Sequence, residues 1–327
     1  MFSKFRLTFV VLFYVFSVIQ ASYSQGLLDL IGTLTGDPGK KVEVSYIEGD
    51  KESKNEILLI KIHGVISESE EESFMDVKKD IIESIKKDVK LALKRDKIKA
   101  ILIEVNSPGG EVTTCDVIYH HLSKIKSEKK PIVCLIGTIG ASGGYYIACA
   151  ADRILAHPTS IIGSIGVLMQ GLNMEKLASL IGIKDVTIKS ERTPKKDILS
   201  PFREMTPEER SMLTKIIDSM YDRFLDIVEK ARGLDRKALE KLADGSIFTS
   251  SQALEKKLID QIGYREDAFE QAMELAKISS AKLVKRKVKK NVIELFSELA
   301  EMNSNLKYFL TMFEKYSNGK AGFNFSY

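Results

Sequence analysis

Apolar residues alternate along this chain between two rhythms. Ile57-Leu58-Leu59-Ile60-Lys61-Ile62 is a short run of leucine and β-branched residues ended by Gly64, and it reads as a buried strand. From Ser73 to Lys94 the spacing changes: Val77, Ile81, Ile85, Val89 and Leu93 recur every four residues with Lys and Asp between them, which predicts an amphipathic helix. Lys99 to Val105 is again a strand, Thr113 to Lys126 a helix, Pro131 to Ile136 a strand, Ser142 to Ala151 a helix and Arg153 to Ala156 a strand. Repeated β-α units of this kind require crossovers between parallel strands, so the predicted class is α/β.

After Gly166 the pattern becomes mainly helical. Met174 to Ile181 predicts one helix, and a long one starts at Thr206-Pro207-Glu208-Glu209, where Thr206 is the cap, Pro207 the first helical residue and Glu209 the third. Further helices are expected over Arg236 to Ala243, Ser250 to Leu258, Phe269 to Lys277 and Val292 to about Tyr316. The basic stretch Lys282 to Lys290, with Val284 and Val288, reads as a solvated edge strand; attraction to anionic lipid head groups is the alternative. Gly26 to about Asn55 has little periodicity and reads as a linker.

The first residues carry an address. Lys4 and Arg6 precede Leu7 to Ile19, in which only Thr8 and Ser17 are polar, the pattern of a basic n-region and an apolar h-region. Cleavage sites are conceivable after Ala21 and, with Ser22 and Ser24 as the small residues, after Ser24. No charge appears from Leu7 until Asp29, so an uncleaved helix of ~20 residues would also suffice to span a bilayer. Lys4 and Arg6 would stay cytoplasmic and the rest would lie on the far side, a periplasmic or other extracytoplasmic location. The expected division is a signal peptide or anchor over 1–25, a linker over 26–54, a folded domain over 55–290 and a helical tail over 291–327.

Charge and composition narrow the chemistry. Forty-nine Lys and Arg against 45 Asp and Glu leave a net charge of +4 over 327 residues, too even a balance for nucleic acid to be the expected partner. Cys115, Cys134 and Cys149 have no CxxC spacing, and the four histidines form no paired ligand motif, so no metal or other cofactor is expected.

Two glycine-rich turns follow strands. Asn106-Ser107-Pro108-Gly109-Gly110 can expose backbone N–H groups at the carboxyl end of its strand, although the same text also serves as a tight turn. Gly137-Thr138-Ile139-Gly140-Ala141-Ser142-Gly143-Gly144-Tyr145-Tyr146 surrounds one hydroxyl with small residues at a helix start. Ser142 is either an N-cap or a nucleophile whose oxyanion the Gly143 N–H would stabilise; a cap needs no flanking glycine, a closely approaching substrate does. A nucleophilic serine needs a base. His63, His120, His121 and His157 are poorly placed for that work, which leaves a lysine whose pKa must fall by about three pH units, ~4 kcal/mol, through burial. Lys196 stands out because Ile198, Leu199 and Pro201 follow it closely.

Asn106-Ser107-Pro108-Gly109-Gly110, Ala141-Ser142-Gly143-Gly144-Tyr145-Tyr146, Gly163-Ser164-Ile165-Gly166-Val167, Lys196-Asp197-Ile198-Leu199-Ser200-Pro201 and Arg203-Glu204-Met205-Thr206 occur in this order. With Asp244-Gly245-Ser246-Ile247-Phe248 and Gly263-Tyr264, they resemble the signal peptide peptidase A family, the S49 or protease IV serine peptidases, from about Ile57 to Lys277. The resemblance implies a ClpP/crotonase-like fold and a Ser/Lys dyad: Ser142 as nucleophile, Lys196 as general base, Ser164 orienting the amine, and Gly110 and Gly143 as oxyanion-hole donors. The loop from Ser190 to Lys195 looks slightly longer than in short relatives, which makes Lys195 the alternative base. The chain resembles the short, undivided form, which implies a ring-shaped homo-oligomer with sites shared between subunits. It further implies a serine endopeptidase that degrades remnant signal peptides and other apolar peptides beside the membrane. A crotonase-like acyl-CoA enzyme and a non-catalytic membrane scaffold are the alternatives.

Overall fold

Ile98–Ser107 is the axis around which the chain is built, and every residue from Ala100 to Val105 in it is buried. The computed structural model describes residues 44–287 apart from 69–71, 74–75 and 78–79. The expected leader, the helical tail from 291 and the end of the basic stretch at 288–290 lie outside the described residues. In chain order the strands are β1 (Val44–Gly49), β2 (Glu56–His63), the short pair β3 (Glu72–Ser73) and β4 (Asp76–Val77), β5 (Ile98–Ser107), β6 (Ile132–Ala141), β7 (Arg153–Ala156), β8 (Ile161–Gly163), β9 (Ile247–Thr249), β10 (Gln261–Ile262) and β11 (Lys282–Arg286). The helices are α1 (Ile81–Lys94), α2 (Val112–Ser127), α3 (Gly143–Ala148), α4 (Glu175–Leu180), α5 (Pro207–Arg232), α6 (Arg236–Glu240), α7 (Ser250–Glu255) and α8 (Arg265–Leu275).

The main sheet runs β1-β11-β2-β5-β6-β7-β10, and β11, β2, β5, β6, β7 and β10 pair in parallel. Central strands covered on both faces need apolar runs, which explains the consecutive apolar residues at Ile57–Ile60 in β2, Ala100–Ile103 in β5 and Ile132–Ile136 in β6. On one face Leu59, Leu102, Val133 and Leu135 pack with Ala268 and Ala272 of α8. On the other, α2 and α3 lie against each other, and α3 also meets β5, β6 and α5.

One irregularity places the site. β6 pairs with β7 through Val133–Ile136 and then, beyond Gly137, with β8 through Ile139–Ala141. β8 in turn pairs antiparallel with β9. The strand is thereby carried past the end of β7, and its last residue, Ala141, sits opposite Gly163.

The α/β alternation predicted from the sequence is present, with differences at the margins. The stretch read as a linker contains β1. Helix α1 begins at Ile81 rather than at residue 73 because the Asp80 side chain caps it by accepting from the Glu83 N–H at 3.1 Å. The helix placed over Phe269 to Lys277 starts earlier, at Arg265. The basic stretch does form a strand, but β11 lies between β1 and β2, so it is not an edge. Leu283 and Val284 are buried there, and the Arg286 guanidinium is held by Asp88 at 2.5 Å and by the Ser84 Oγ at 2.9 Å. Lysine-rich text concealed two core residues whose burial outweighs the surrounding charge. The capping box at Thr206 is formed as expected, and α5 ends at Gly233 in the left-handed region, φ 62°. Among the described residues no helix is long and apolar enough to cross a membrane.

Leu102 faces α8 with no exposed surface. Replacing it with alanine is expected to lower unfolding stability by about 2–5 kcal/mol, measured by urea denaturation, since the rigid sheet cannot collapse into the void.

Candidate active site

The carboxyl ends of β5 and β6 bring two glycine turns into contact. After β5, the Ser107 Oγ accepts from the Gly109 N–H at 3.1 Å, and Gly109 has φ 109°. The following Gly110 is pressed against Ile66: the Ile66 N–H donates to the Gly109 carbonyl at 2.9 Å, and the Glu111 N–H donates to the Ile66 carbonyl at 2.8 Å. A Cβ at Gly110 would lie 1.9 Å from the Ile66 oxygen. After β6, Ser142 has φ 50° and ψ −124°, a conformation that costs a non-glycine residue about 1–3 kcal/mol. Its N–H donates to the Gly163 carbonyl at 2.8 Å, and its carbonyl accepts from the Tyr146 N–H at 2.9 Å, so the strained backbone is fixed from both sides.

The Ser142 side chain does not cap α3. That removes the structural role weighed against nucleophilic work. A Cβ at Gly109 would stand 2.8 Å from the Gly143 nitrogen and 3.1 Å from the Ser142 Oγ, and one at Gly143 would stand 3.2 Å from the Gly110 nitrogen. The hydroxyl and the two backbone nitrogens therefore share one small space. No hydrogen bond of the described residues uses the Gly110 N–H, and the Gly143 N–H opens α3, where a helix offers no acceptor of its own. Such a pair of free donors is what an oxyanion needs.

A small apolar pocket adjoins the hydroxyl, walled by Val112, Cys115, Tyr146, Val167, Met220 and Phe224. The Tyr146 ring packs on Phe224 with centroids 5.0 Å apart, and its hydroxyl donates to Asp116, which also receives Arg223 at 3.1 Å. Burial, reinforced by that hydrogen bond to Asp116, raises the Tyr146 pKa well above the usual phenol range. The Cys115 thiol is pushed up to about 12, first by burial and then by the Glu111 charge, so it stays protonated and does not compete as a nucleophile. A larger cavity of about 380 Å³ shares no lining residue with this pocket; it lies near His63, Glu104, Asn106, His157 and Arg265.

Ser164 lies close to Ser142 in the fold, since it follows Gly163, whose carbonyl holds the Ser142 N–H. It also has positive φ, 47°, and its N–H donates to the Ser246 carbonyl at 2.7 Å. Lys196 is elsewhere in character. It is exposed, its N–H donates to the Thr193 carbonyl at 3.1 Å, and among the described residues no hydrogen bond joins its amine to Ser142 or Ser164. Lys195 is exposed as well. The isolated subunit thus assembles Ser142, Gly110, Gly143 and Ser164, and leaves Lys196 in solvent.

Sequence reasoning assigned no role to the charges around Lys196. Arg203 donates to both oxygens of Asp197 at 3.0 Å and to both oxygens of Glu209 at 2.7 and 2.8 Å. Hydrogen bonds from Arg203, then from Lys189, hold the Asp197 carboxyl well below its ordinary range. Glu209 is lowered to about 2 by Arg203 first and the Thr206 N–H second. An arginine with acids six residues away on both sides, Asp197 and Glu209, was the available signal. Among the described residues no group of three or more His, Cys, Asp or Glu could hold a metal ion.

Comparison with known proteins agrees with this geometry. A Clp protease family model matches residues 64–163, which span β5, β6 and both glycine turns, and the sheet and helices fit a ClpP/crotonase-like fold. The Peptidase family S49 model matches residues 124–279. A chain of Enterococcus faecium named signal peptide peptidase SppA is 35% identical over 235 residues, 72% of this chain and 68% of that one. A Synechocystis chain named as a protease is 43% identical over 187 residues, 57% of this chain and 66% of that one. Protease 4 of Salmonella typhi is 36% identical over 182 residues, 56% of this chain but 29% of its own length. The chain belongs to peptidase family S49, a family of proteases.

Two outcomes follow from the geometry. Gly110→Ala should cost most of the folded, active protein, because the colliding atom is a backbone carbonyl; soluble yield and circular dichroism would detect it. The lowered carboxyl groups at Asp197 and Glu209 stabilise the fold fully above the ordinary Glu value of 4.5 and lose that contribution as pH falls through about 2. Pepsin cleavage within 189–203 should therefore accelerate from pH 4.5 to 2, and an Arg203→Gln variant should show less of that acceleration.

Proposed function

We propose that this protein is a serine endopeptidase with a Ser/Lys dyad, in which Ser142 is the nucleophile and Lys196 the general base. The observation that carries the reading is Ser142 itself: a strained, backbone-fixed serine whose hydroxyl does no capping and lies beside two free N–H groups. Ser142 Oγ attacks the peptide carbonyl while its proton passes to the neutral Lys196 amine. The carbonyl electrons move onto oxygen, where the Gly110 and Gly143 N–H groups receive them. Collapse breaks the C–N bond, and Lys196 returns the proton to the leaving amine. Water, deprotonated by the same lysine, then hydrolyses the Ser142 ester. Ser164 orients the amine, and Lys195 is the alternative base.

Lys196 is exposed, and a lysine accepts a proton near neutrality only where burial disfavours its charge, so the dyad requires a second copy of the chain. Apolar side chains in the segment that carries Lys196 support this: Leu180 is 83% exposed, Val186 82% and Ile188 94%. So much apolar surface calls for a partner, and a neighbouring subunit would cover it, exclude water around Lys196 and lower its pKa. The assembly is a ring-shaped homo-oligomer with shared sites. Its substrates are remnant signal peptides and other apolar peptides, which suit the apolar pocket beside Ser142. The work takes place on the outer side of the cytoplasmic membrane, where the N-terminal segment delivers or anchors the chain. An acyl-CoA enzyme would use the same two N–H groups, but the protease names of the relatives favour peptide substrates.

Ser142→Ala and Lys196→Ala should each abolish hydrolysis of an apolar peptide ester. Mixing and reassembling the two inactive variants should restore part of the rate, because some sites then combine an intact serine with an intact lysine. Full activity in either single variant refutes the dyad, and failure of the mixture to recover refutes sharing between subunits.

A further inference from the structure

We propose that Arg203 is a positioning residue for Lys196, locking the lysine loop to the first turn of α5 by gripping Asp197 and Glu209 at once. The inference rests on the reading of Lys196 as the base and adds how that amine is held.

The grip is nearly saturated. Besides the four carboxylate contacts, the Arg203 Nη1 donates to the Glu204 carbonyl at 3.0 Å and Nη2 to the Asp197 carbonyl at 3.1 Å. Glu209 is only 4% exposed, and it also accepts from the Thr206 N–H at 3.0 Å, so the anchor is part of the helix start itself. From there α5 runs into the body, where Phe224 packs on Tyr146, four residues beyond Ser142. Lys189 closes the loop from the other side, donating to the Asp197 Oδ1 at 2.5 Å and to the Pro194 carbonyl at 2.7 Å. Between these ends the backbone turns are defined: the Lys196 N–H donates to Thr193 and the Ile198 N–H to the Lys195 carbonyl.

Lys189, Asp197, Arg203 and Glu209 are all engaged with one another, whereas the amines of Lys195 and Lys196 have no hydrogen-bond partner among the described residues. Of these two amines, that of Lys196 belongs to the residue joined directly to Asp197, so the Arg203 grip fixes the backbone from which it projects. Partly exposed ion pairs contribute little to stability, whereas a guanidinium bridging two carboxylates fixes direction as well as distance. Preorganisation of this kind is what a shared site needs, since misplacement by about 1 Å costs on the order of 100-fold in rate.

The test uses the full-length assembled protein and hydrolysis of an apolar peptide ester. Arg203→Gln should lower kcat about 10- to 100-fold with KM within about twofold, and should move the acid limb of the kcat–pH profile upward because the amine is seated in a wetter position. Arg203→Lys should recover only a minor part, since an ammonium cannot bridge both acids. Glu209→Gln should lower kcat similarly, and combining it with Arg203→Gln should add little. Melting temperature and particle size of each variant are measured alongside. Wild-type kcat and pH profile in Arg203→Gln overturn the proposal, as does a loss that follows disassembly in both Arg203→Gln and the isosteric Glu209→Gln. Lys196→Ala separates the two levels: if it stays active, the base assignment itself fails; if it is inactive while Arg203→Gln behaves as wild type, only the positioning role fails.

Discussion

The close approach of two backbone turns is the constraint on which the site depends. At Gly109, Gly110, Gly143 and Gly144 an added Cβ would meet the other turn or its supports at 3.0 Å or less, from 1.9 Å at Gly110 to 2.8 Å at Gly109. Side chains at these positions would push the turns apart, and the Gly110 and Gly143 N–H groups would no longer share one space with the Ser142 hydroxyl. The strain at Ser142 belongs to the same arrangement. A serine at φ 50° persists only because Gly163 and Tyr146 hold its peptide groups on both sides. The body of the protein can hold it there because β5 and β6 are buried at its centre.

The change of partner along β6 connects this constraint to the fold. Had the strand ended where its pairing with β7 ends, at Ile136, the serine turn would fall level with His157 and away from Gly110. Pairing with β8 carries the chain on to Ala141, and the Ile139 N–H, which donates to the Asn106 Oδ1 at 3.1 Å, ties the extension to the end of β5. The β8–β9 pair then fixes Gly163 and Ser164, where Phe248 and Ser246 leave no room for a side chain at 163.

How much of this was legible in the sequence differed by element. Strands β2, β5 and β6 were readable because burial on both faces leaves an unbroken apolar run, and the start of α5 was readable because its capping box is a local signal. The glycine turns and Ser142 stood out for the same reason: the requirement for small residues is written at the positions that need it. What was hidden depends on distant partners. β1 is short and half-exposed and shows no pattern on its own, and β11, though readable as a strand, buries Leu283 and Val284 inside lysine-rich text, so its place inside the sheet was not readable. The grip of Arg203 on Asp197 and Glu209 was hidden differently: acids six residues away on both sides were there to read, but that spacing alone does not distinguish an arginine that bridges two acids from one that is simply solvated.

The separation of Ser142 from Lys196 has a physical logic on the proposed reading. A hydroxyl can be held ready in an isolated subunit because it is neutral, so readying it withdraws no charge from water, and the local strain and unpartnered N–H groups are the smaller cost. A neutral lysine cannot be prepared that way: burying it inside one subunit would impose the desolvation penalty on folding itself, as an amine without a partner in the core. Placing it instead on an arm whose apolar residues, Leu180, Val186 and Ile188, face solvent shifts that penalty from folding to assembly, where the burial of those side chains offsets it. On that reading the free subunit is inert by construction, because the exposed Lys196 amine makes no hydrogen bond to the Ser142 hydroxyl among the described residues. A protease built this way gains activity only where its copies have gathered.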